Sequence, residues 1–217
     1  MLALAGQGAD EGLWLSAGQQ TAGRGRLGRA WVSPPGNLHA STIVRLRSGD
    51  PAPATLALVA SVALDEALRA YGAEPWIKWP NDLHIGEAKL TGILLERTGD
   101  AVVVGIGVNL AHHPEGLDRA VTSLSAQGLG SPDPDQFLAD LGDAFARWLA
   151  MWRSGLEPVR RRWLERAHPI GTALSARLPD QPPIDGLFDG LTADGALRLR
   201  LASGAVQVIH AGDVFLI

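Results

Sequence analysis

The sequence predicts an α+β protein in which a mixed sheet with helices is followed by a small all-β barrel. Three observations support this fold class. Two apolar runs, 90–97 and 101–110, flank a Gly-Asp turn and predict a β-hairpin. Residues 50–71 and 136–151 repeat apolar side chains at helical spacing. After Pro169 only short apolar runs remain, separated by Pro, Gly and Asp, which is typical of small all-β domains.

The other elements follow from local patterns. The helix at 50–71 has Asp50 and Pro51 at its start and Gly72 at its end, which are the residue types that favour helix boundaries. The remaining predicted strands are 13–17, 41–46 and 74–79, and a last helix is predicted at 157–167. Five short strands follow that helix. We therefore predict one domain over residues 1–168 and a second over residues 169–217.

Composition excludes several classes of protein. An apolar fraction of 46% and a charged fraction of 19% indicate a globular chain. No cysteine is present, which excludes disulfides and thiolate chemistry and suits a cytoplasmic protein. No apolar run is long enough for a signal peptide or a membrane span. The net charge of −4 argues against a nucleic-acid partner, and the Arg160-Arg161-Arg162 run is predicted to be a solvated helix face.

Positive charge is concentrated in one glycine-rich segment. Residues 12–49 contain five arginines and no acidic residue. The run from Gly23 to Gly28 matches the GxGxxG pattern of dinucleotide-binding proteins. No strand-to-helix unit surrounds it, and Pro34-Pro35 prevents a regular helix after it, so a Rossmann fold is rejected. The glycines and arginines instead predict a loop that binds a carboxylate or phosphate.

Three further segments carry candidate site residues. Both lysines of the chain lie close together, in Lys78-Trp79-Pro80-Asn81-Asp82 and at Lys89, which precedes the strand containing Gly92. The run from Gly105 to Asn109 places glycines where a ligand can approach the backbone closely. Trp31, just after the arginines, is placed to stack on a flat ring, although a core tryptophan is equally compatible with its sequence position.

These four segments, in this order, resemble the biotin protein ligases. The resemblance extends over about residues 11–167 and is to the short form, without a DNA-binding helix-turn-helix. It implies a biotin/lipoate ligase catalytic domain, similar to class II synthetases, with an SH3-like C-terminal barrel. It also implies a cytoplasmic enzyme that makes biotinyl-5′-AMP from biotin and MgATP. The enzyme then transfers biotin to a lysine of a carboxylase's biotin carboxyl carrier domain.

The resemblance implies roles for individual residues. Lys89, Arg24 and Arg26 would be catalytic, with Lys89 between the biotin carboxylate and the α-phosphate. Biotin would contact Gln20, Arg24, Gly25, Arg26, Lys89 and Gly92. ATP and the adenylate would contact Arg29, Trp31, Asn81, Asp82 and Asn109. Mg²⁺ would be held mostly by the ATP phosphates, so no protein ligand is assigned with certainty. A homodimer and a monomer both remain open, and no membrane or nucleic-acid partner is expected.

Two departures from the family pattern accompany these expectations. The family's opening strand ends in Ser-Thr-Asn and helps to form the biotin pocket, and no such tripeptide precedes Glu11. Leu27 stands where the family loop often has arginine, so we expect weaker loop closure. Two alternatives remain at this point: a lipoate ligase of the same fold, and a non-catalytic protein that binds biotin or its adenylate.

Overall fold

The computed structural model describes residues 1–179 and 181–217 and contains three antiparallel sheets. The strands of the largest sheet are β1 (Trp14–Ser16), β2 (Leu38–Arg45), β6 (Thr91–Thr98) and β7 (Ala101–Val108). They lie in the order β1-β2-β7-β6. The predicted hairpin is present as β6 and β7, which pair from Thr91 opposite Val108 to Thr98 opposite Ala101. Strand β7 is an interior strand of this sheet, because β2 and β6 pair with its two edges.

A small three-stranded sheet carries the lysine-containing segments. Its strands are β3 (Trp76–Lys78), β4 (Asp82–Ile85) and β5 (Ala88–Lys89), in that order. The tight turn between β3 and β4 contains Pro80 and Asn81. It brings Lys78 opposite Asp82, while Lys89 pairs with His84 on the other side of β4. This sheet therefore brings both lysines beside the Asp82 carboxylate.

Helices lie on both faces of the large sheet. They are α1 (Leu2–Gly6), α2 (Leu56–Ala70), α3 (Pro134–Arg153) and α4 (Glu157–Arg166). Helix α1 packs against Ile43 and Val103 on one face, and the other three helices cover the opposite face with Val102 and Val104. Helix α2 is buried along most of its length and packs between the sheet and helices α3 and α4. Asp133 caps α3 by accepting hydrogen bonds from the backbone N–H groups of Asp135 and Gln136. Across the described residues, none of these helices combines the length and apolar character that crossing a membrane requires.

The C-terminal segment forms one five-stranded antiparallel sheet. Its strands are β8 (Ala173–Arg177), β9 (Ile184–Leu191), β10 (Leu197–Arg200), β11 (Val206–Ile209) and β12 (Asp213–Leu216). Their order is β11-β10-β9-β8-β12, so the last strand returns beside the first. All five predicted strands are therefore present. Inward-facing residues such as Phe188 and Leu199 are buried, as the alternating pattern predicts.

Three sequence predictions need correction. The helix predicted from residue 50 begins at Leu56, because Pro53 restricts Ala52 to an extended conformation and a short 3-10 turn precedes the helix. Strand β2 begins at Leu38, three residues earlier than predicted, since the ladder with β7 continues to Val108. Strands β4 and β5 were not predicted, because they have only four and two residues, which is too short for a periodic pattern to stand out.

The arginine run of α4 is not simply a solvated face. Arg162 Nη2 lies 3.2 Å from Oδ2 of Asp65, a carboxylate that is fully buried in α2. Arg166 and Arg69 contact the same carboxylate. Of the predicted run, Arg161 alone is exposed, while Arg160 and Arg162 are partly buried. The prediction was wrong for Arg162, because a helix pattern does not show which buried acid another helix will present.

Candidate active site

One open cavity of about 210 Å³ gathers the segments that the sequence singled out. One wall is formed by the arginine loop (residues 20–31) and another by the middle of β2, β6 and β7. Ten of the eleven predicted site residues line the cavity: Gln20, Arg24, Gly25, Arg26, Arg29, Trp31, Asn81, Asp82, Lys89 and Gly92. Asn109 is not among the lining residues. Segments distant in sequence are thus neighbours around one space.

The arginine loop folds back on itself through backbone hydrogen bonds. Trp31 N donates to Gly23 O at 2.9 Å, and Gly25 N donates to Arg29 O at 2.7 Å. A methyl group on Gly23 would lie 2.4 Å from Trp31 O, so this close approach requires glycine. At the tip, Leu27 adopts a left-handed conformation with φ of 56° and is exposed. The fold-back directs arginine side chains from both arms toward the cavity.

Each predicted cation of the site contacts a carboxylate. Lys89 Nζ lies 2.6 Å from Oδ1 of Asp82, and both side chains are mostly buried. Arg24 Nη2 lies 3.2 Å from Oε1 of Glu96. Arg26 and Arg29 both contact Asp213 of β12, with Arg26 Nη1 at 3.5 Å from Oδ1. The cavity therefore has a cationic rim whose charges are held in place by acids on three different strands.

The indole of Trp31 lies against two glycines of the large sheet. A methyl group on Gly107 would lie 2.5 Å from Cζ2 of Trp31, and one on Gly92 would lie 2.9 Å from Cζ3. The Lys89 ammonium is 5.7 Å from the ring centroid, within the range of a cation–π contact. Nε1 of Trp31 is buried and has no hydrogen-bond partner among the described residues. The ring is therefore seated inside the cavity, against the sheet, with one buried donor that makes no hydrogen bond within the described part of the chain.

Asn109 has a different environment from the other predicted residues. Its Nδ2 donates to Thr122 O at 3.0 Å, and its side chain is buried. Asn37 completes this arrangement, because its Oδ1 accepts from the backbone N–H groups of Ala111 and His112. These two amides fix the loop that follows β7. That loop contacts Lys89 directly, since Lys89 N donates to Ala120 O at 3.0 Å. The predicted contact of Asn109 with adenine stays a prediction.

A second cavity of about 340 Å³ continues from the first beyond Lys89 and Asp82. Lys78 lines it with its ammonium 5.3 Å from the ring of Phe215. Burial lowers the pKa of Lys78, and nearby Asp82 partly opposes this effect. Arg119 lines both cavities from the loop after β7. The second space is thus also rich in polar and charged groups.

Among the titratable residues that line the first cavity, four were not predicted as site residues: His39, Glu96, Arg119 and Asp213. His39 lies on β2, and its burial lowers its pKa. Its ring nitrogen Nε2 is 3.2 Å from Pro34 O. Isolated histidines and a single arginine in an acidic loop carry no distinctive spacing. Because the arginine segment contains no acidic residue, the sequence did indicate that carboxylates from other segments would pair with its arginines.

Comparison with known proteins identifies the family. Residues 5–110 match the biotin/lipoate A/B protein ligase family, and residues 174–217 match the biotin protein ligase C-terminal domain. A biotin–[acetyl-CoA-carboxylase] ligase from Paracoccus denitrificans is 43% identical over 216 residues, covering 93% of this chain and 89% of that protein. The chain belongs to the biotin protein ligase family. The resemblance stated from the sequence is confirmed.

Further biotin ligases extend this result to the fold. The bifunctional ligase/repressor of Escherichia coli is 34% identical over 91% of this chain, which covers 64% of that longer protein. The structure of the biotin protein ligase from Aquifex aeolicus in complex with biotin and ATP matches with a TM-score of 0.87 and 25% identity. The match covers 96% of this chain and 90% of that one. The predicted α+β biotin ligase fold with a small all-β C-terminal part is confirmed.

Proposed function

We propose that this chain is an ATP-dependent biotin ligase acting in two steps. In the first, a biotin carboxylate oxygen attacks the α-phosphorus of ATP, and the bond to pyrophosphate breaks to leave biotinyl-5′-AMP. In the second, a lysine amine of a biotin carboxyl carrier domain attacks the acyl carbon, and AMP leaves. The observation that carries this proposal is the gathering of Arg24, Arg26, Arg29 and Lys89 around one cavity in a biotin ligase fold.

Charge explains why the first step needs these side chains. Both reactants are anions, so cations must bring them together and stabilise the charge that develops on the α-phosphate. Lys89 is the best placed, because its ammonium projects between the glycine strands and the Asn81-Asp82 turn. Asp82 holds that ammonium in place beside the cavity through a direct hydrogen bond. Lys89 would contact the carboxylate and the α-phosphate together.

The arginine loop would bind the anionic parts of the ligand. Arg24, Gly25 and Arg26 are assigned to biotin, with Gln20 at the base of the loop, where it accepts a hydrogen bond from Ser33. Arg29 is assigned to the adenylate. The loop covers one side of the cavity, so its closure would also exclude water from the reactive mixed anhydride. Gly92 is also assigned to biotin, and its lack of a side chain leaves room for the Trp31 ring and the Lys89 ammonium beside it.

The adenine side of the site is assigned to Trp31, Asn81, Asp82 and Asn109. Trp31 supports this assignment with a flat ring inside the cavity and an unused Nε1 donor. Asn81 bonds Ile93 O and accepts from Arg26 Nη1 at 3.3 Å, so it links the loop to β6. Asn109 would act on the adenine side through the loop that its amide holds in place.

Mg²⁺ would enter the site with ATP. No cluster of three or more His, Asp or Glu side chains able to hold a metal ion occurs among residues 1–179 and 181–217. The carboxylates at the cavity already contact lysine or arginine, with Asp82 the best remaining candidate for one metal contact. This donor set fits an ion that keeps phosphate and water ligands. When bound, Mg²⁺ would neutralise phosphate charge and assist the departure of pyrophosphate.

Adenylate formation by the purified chain tests the proposal. The chain is incubated with MgATP and either biotin or lipoate, and pyrophosphate release and the acyl-AMP product are measured. We expect adenylate from biotin alone, followed by transfer to a lysine of an added biotin carboxyl carrier domain. Adenylate from lipoate would establish the lipoate ligase alternative. Binding of biotin without adenylate, in a chain that is folded by circular dichroism, would establish a non-catalytic binding protein.

A further inference from the structure

One carboxylate of the C-terminal sheet contacts two arginines of the arginine loop. Asp213 begins β12 and is 19% exposed. Its Oδ1 lies 3.5 Å from Arg26 Nη1, and its Oδ2 contacts Arg29 Nη2. About 185 residues of chain separate these partners, and the contact joins the last strand of the protein to the loop that covers the cavity.

Arg26 is held by acceptors on two separate parts of the fold. Besides Asp213, its Nη1 donates to Asn81 Oδ1 at 3.3 Å and its Nη2 donates to Gly212 O at 3.2 Å. Gly212 itself is closely packed, because a methyl group there would lie 3.0 Å from Arg177 O. Strand β12 is fixed by its ladder to β8, in which Asp213 lies opposite Arg177. The acceptors therefore sit on rigid backbone, and the guanidinium has one defined direction before any ligand arrives.

Asp213 holds the two arginines in place without neutralising the charge of both. Lys89 with Asp82, and Arg24 with Glu96, are pairs of one cation and one anion. Asp213 is shared between two guanidinium groups, so that cluster keeps one net positive charge at the cavity wall. Each guanidinium also has five N–H donors, of which these contacts use only a part. Both arginines thus remain able to bind an anion.

We propose that Asp213 is a positioning residue for adenylate formation. It holds Arg26 and Arg29 over the cavity, so that both side chains are already ordered when an anionic ligand binds. This inference rests on the proposed function for the identity of the ligand. Ordering a long side chain on binding costs affinity, and a protein that orders it in advance avoids that cost. The cost falls on the ground state and the transition state alike, so its removal changes KM more than kcat.

Steady-state kinetics of Asp213→Asn provide the first test. We expect the KM for ATP to rise several-fold through Arg29 and the KM for biotin to rise several-fold through Arg26, about tenfold in combination, while kcat changes by less than about threefold. Asp213→Glu keeps the carboxylate and is expected to restore most of the affinity. Asp189→Asn is the matched control, because Asp189 pairs with Arg198 at 2.6 Å in the same sheet and does not line the cavity. It should leave these constants near the wild-type values.

Limited digestion with trypsin provides a second test that needs no activity. Arg24, Arg26 and Arg29 are trypsin sites within the arginine loop. Without ligand, we expect cleavage there to be several-fold faster in Asp213→Asn than in the wild type or in Asp189→Asn. Equal cleavage rates would overturn the proposal, as would an unchanged or lower KM for ATP in an active Asp213→Asn variant. A wild-type chain that makes no adenylate would refute the proposed function, while the digestion would still decide whether Asp213 holds the loop.

Discussion

Gly105 and Gly107 lie two residues apart in β7, and a side chain at each would meet a different environment. A methyl group at Gly107 would lie 2.5 Å from the Trp31 ring, whereas at Gly105 the nearest atom would be Leu94 O at an ordinary 3.5 Å. We expect Gly107→Ala to displace Trp31 and to raise the KM for ATP by roughly tenfold, the upper range for one aromatic contact. Gly105→Ala should raise it less, because Gly105 lines the cavity but lies clear of the Trp31 ring. Equal effects of the two substitutions on adenylate kinetics would contradict the adenine-side assignment of Trp31.

Lys89 allows a second prediction at the level of one charge. Lys89→Ala removes the ammonium that would stabilise the developing phosphate charge, so adenylate formation should slow by about 10²–10³-fold. Arg97→Ala is the control, because Arg97 is an exposed cation on the neighbouring strand β6. The measurement is single-turnover formation of biotinyl-AMP at saturating biotin and MgATP. An unchanged rate in Lys89→Ala would show that its charge has another role.

The sequence located residues that belong to distinctive local patterns. Ten predicted residues line one cavity, because glycines, arginines and polar turn residues cluster in segments that the fold brings together. Asp213 escaped notice because it lies almost at the other end of the chain and its spacing to the arginines is unrelated to any local period. His39 was missed for a similar reason, since one histidine in an apolar strand is compatible with a simple core position.

At the level of elements, periodicity predicted long strands and helices better than their ends. The β6–β7 hairpin and helices α3 and α4 lie within two residues of the predicted bounds. The start of α2 was misplaced because Asp50 accepts a hydrogen bond from Arg47 N in a turn and does not cap the helix. Asp65 shows a second limit of periodicity, because this buried acid of α2 forms ion pairs with Arg162 and Arg166 of α4. Contacts between helices of this kind have no counterpart in a single-helix pattern.

Strand β3 supports a prediction about pH, because two histidines flank its Trp76. The ring centroids of His84 and His168 lie 4.8 Å and 3.5 Å from that of Trp76. Burial, with a smaller contribution from the Lys78 charge, lowers the pKa of both histidines from 6.5 to about 4. Between pH 6.5 and 4, the two histidines are therefore protonated in the unfolded chain but largely uncharged in the folded state. Stability contributed by this difference is complete above pH 6.5 and is lost as the pH falls toward 4.

We expect the free energy of unfolding to fall by about 2–3 kcal/mol per histidine across this pH range. His168→Phe keeps an aromatic ring beside Trp76 and removes one titrating group, so the pH dependence should become shallower. Exposed His112 is the control position, and His112→Phe should leave the profile unchanged. Urea unfolding at several pH values between 7 and 4 makes the measurement. A wild-type profile that is flat in this range would exclude the uncharged state of the two histidines.

For the whole molecule, the hydrophobic core crosses the predicted domain boundary. One cluster of buried side chains extends from Leu38 in the large sheet to Val214 in the last strand. Trp163 of α4 packs 6.5 Å from Phe188 of β9, measured between ring centroids. Trp79 Nε1 donates to Gly195 O at 3.3 Å across the same junction. The division at residues 168 and 169 stays a prediction about sequence organisation, and this packing favours cooperative folding of both parts.

Calorimetry of the full chain can test that cooperativity. A shared core predicts one unfolding transition whose calorimetric and van't Hoff enthalpies agree. Phe188→Ala removes a ring that is 2% exposed, so it should cost about 3–5 kcal/mol and shift the whole transition to lower temperature. Val206→Ala, at an exposed position of the same C-terminal sheet, should shift it little. Two separate transitions, of which Phe188→Ala moves only one, would show that the C-terminal sheet folds independently and that its contact with the arginine loop can open without unfolding the rest.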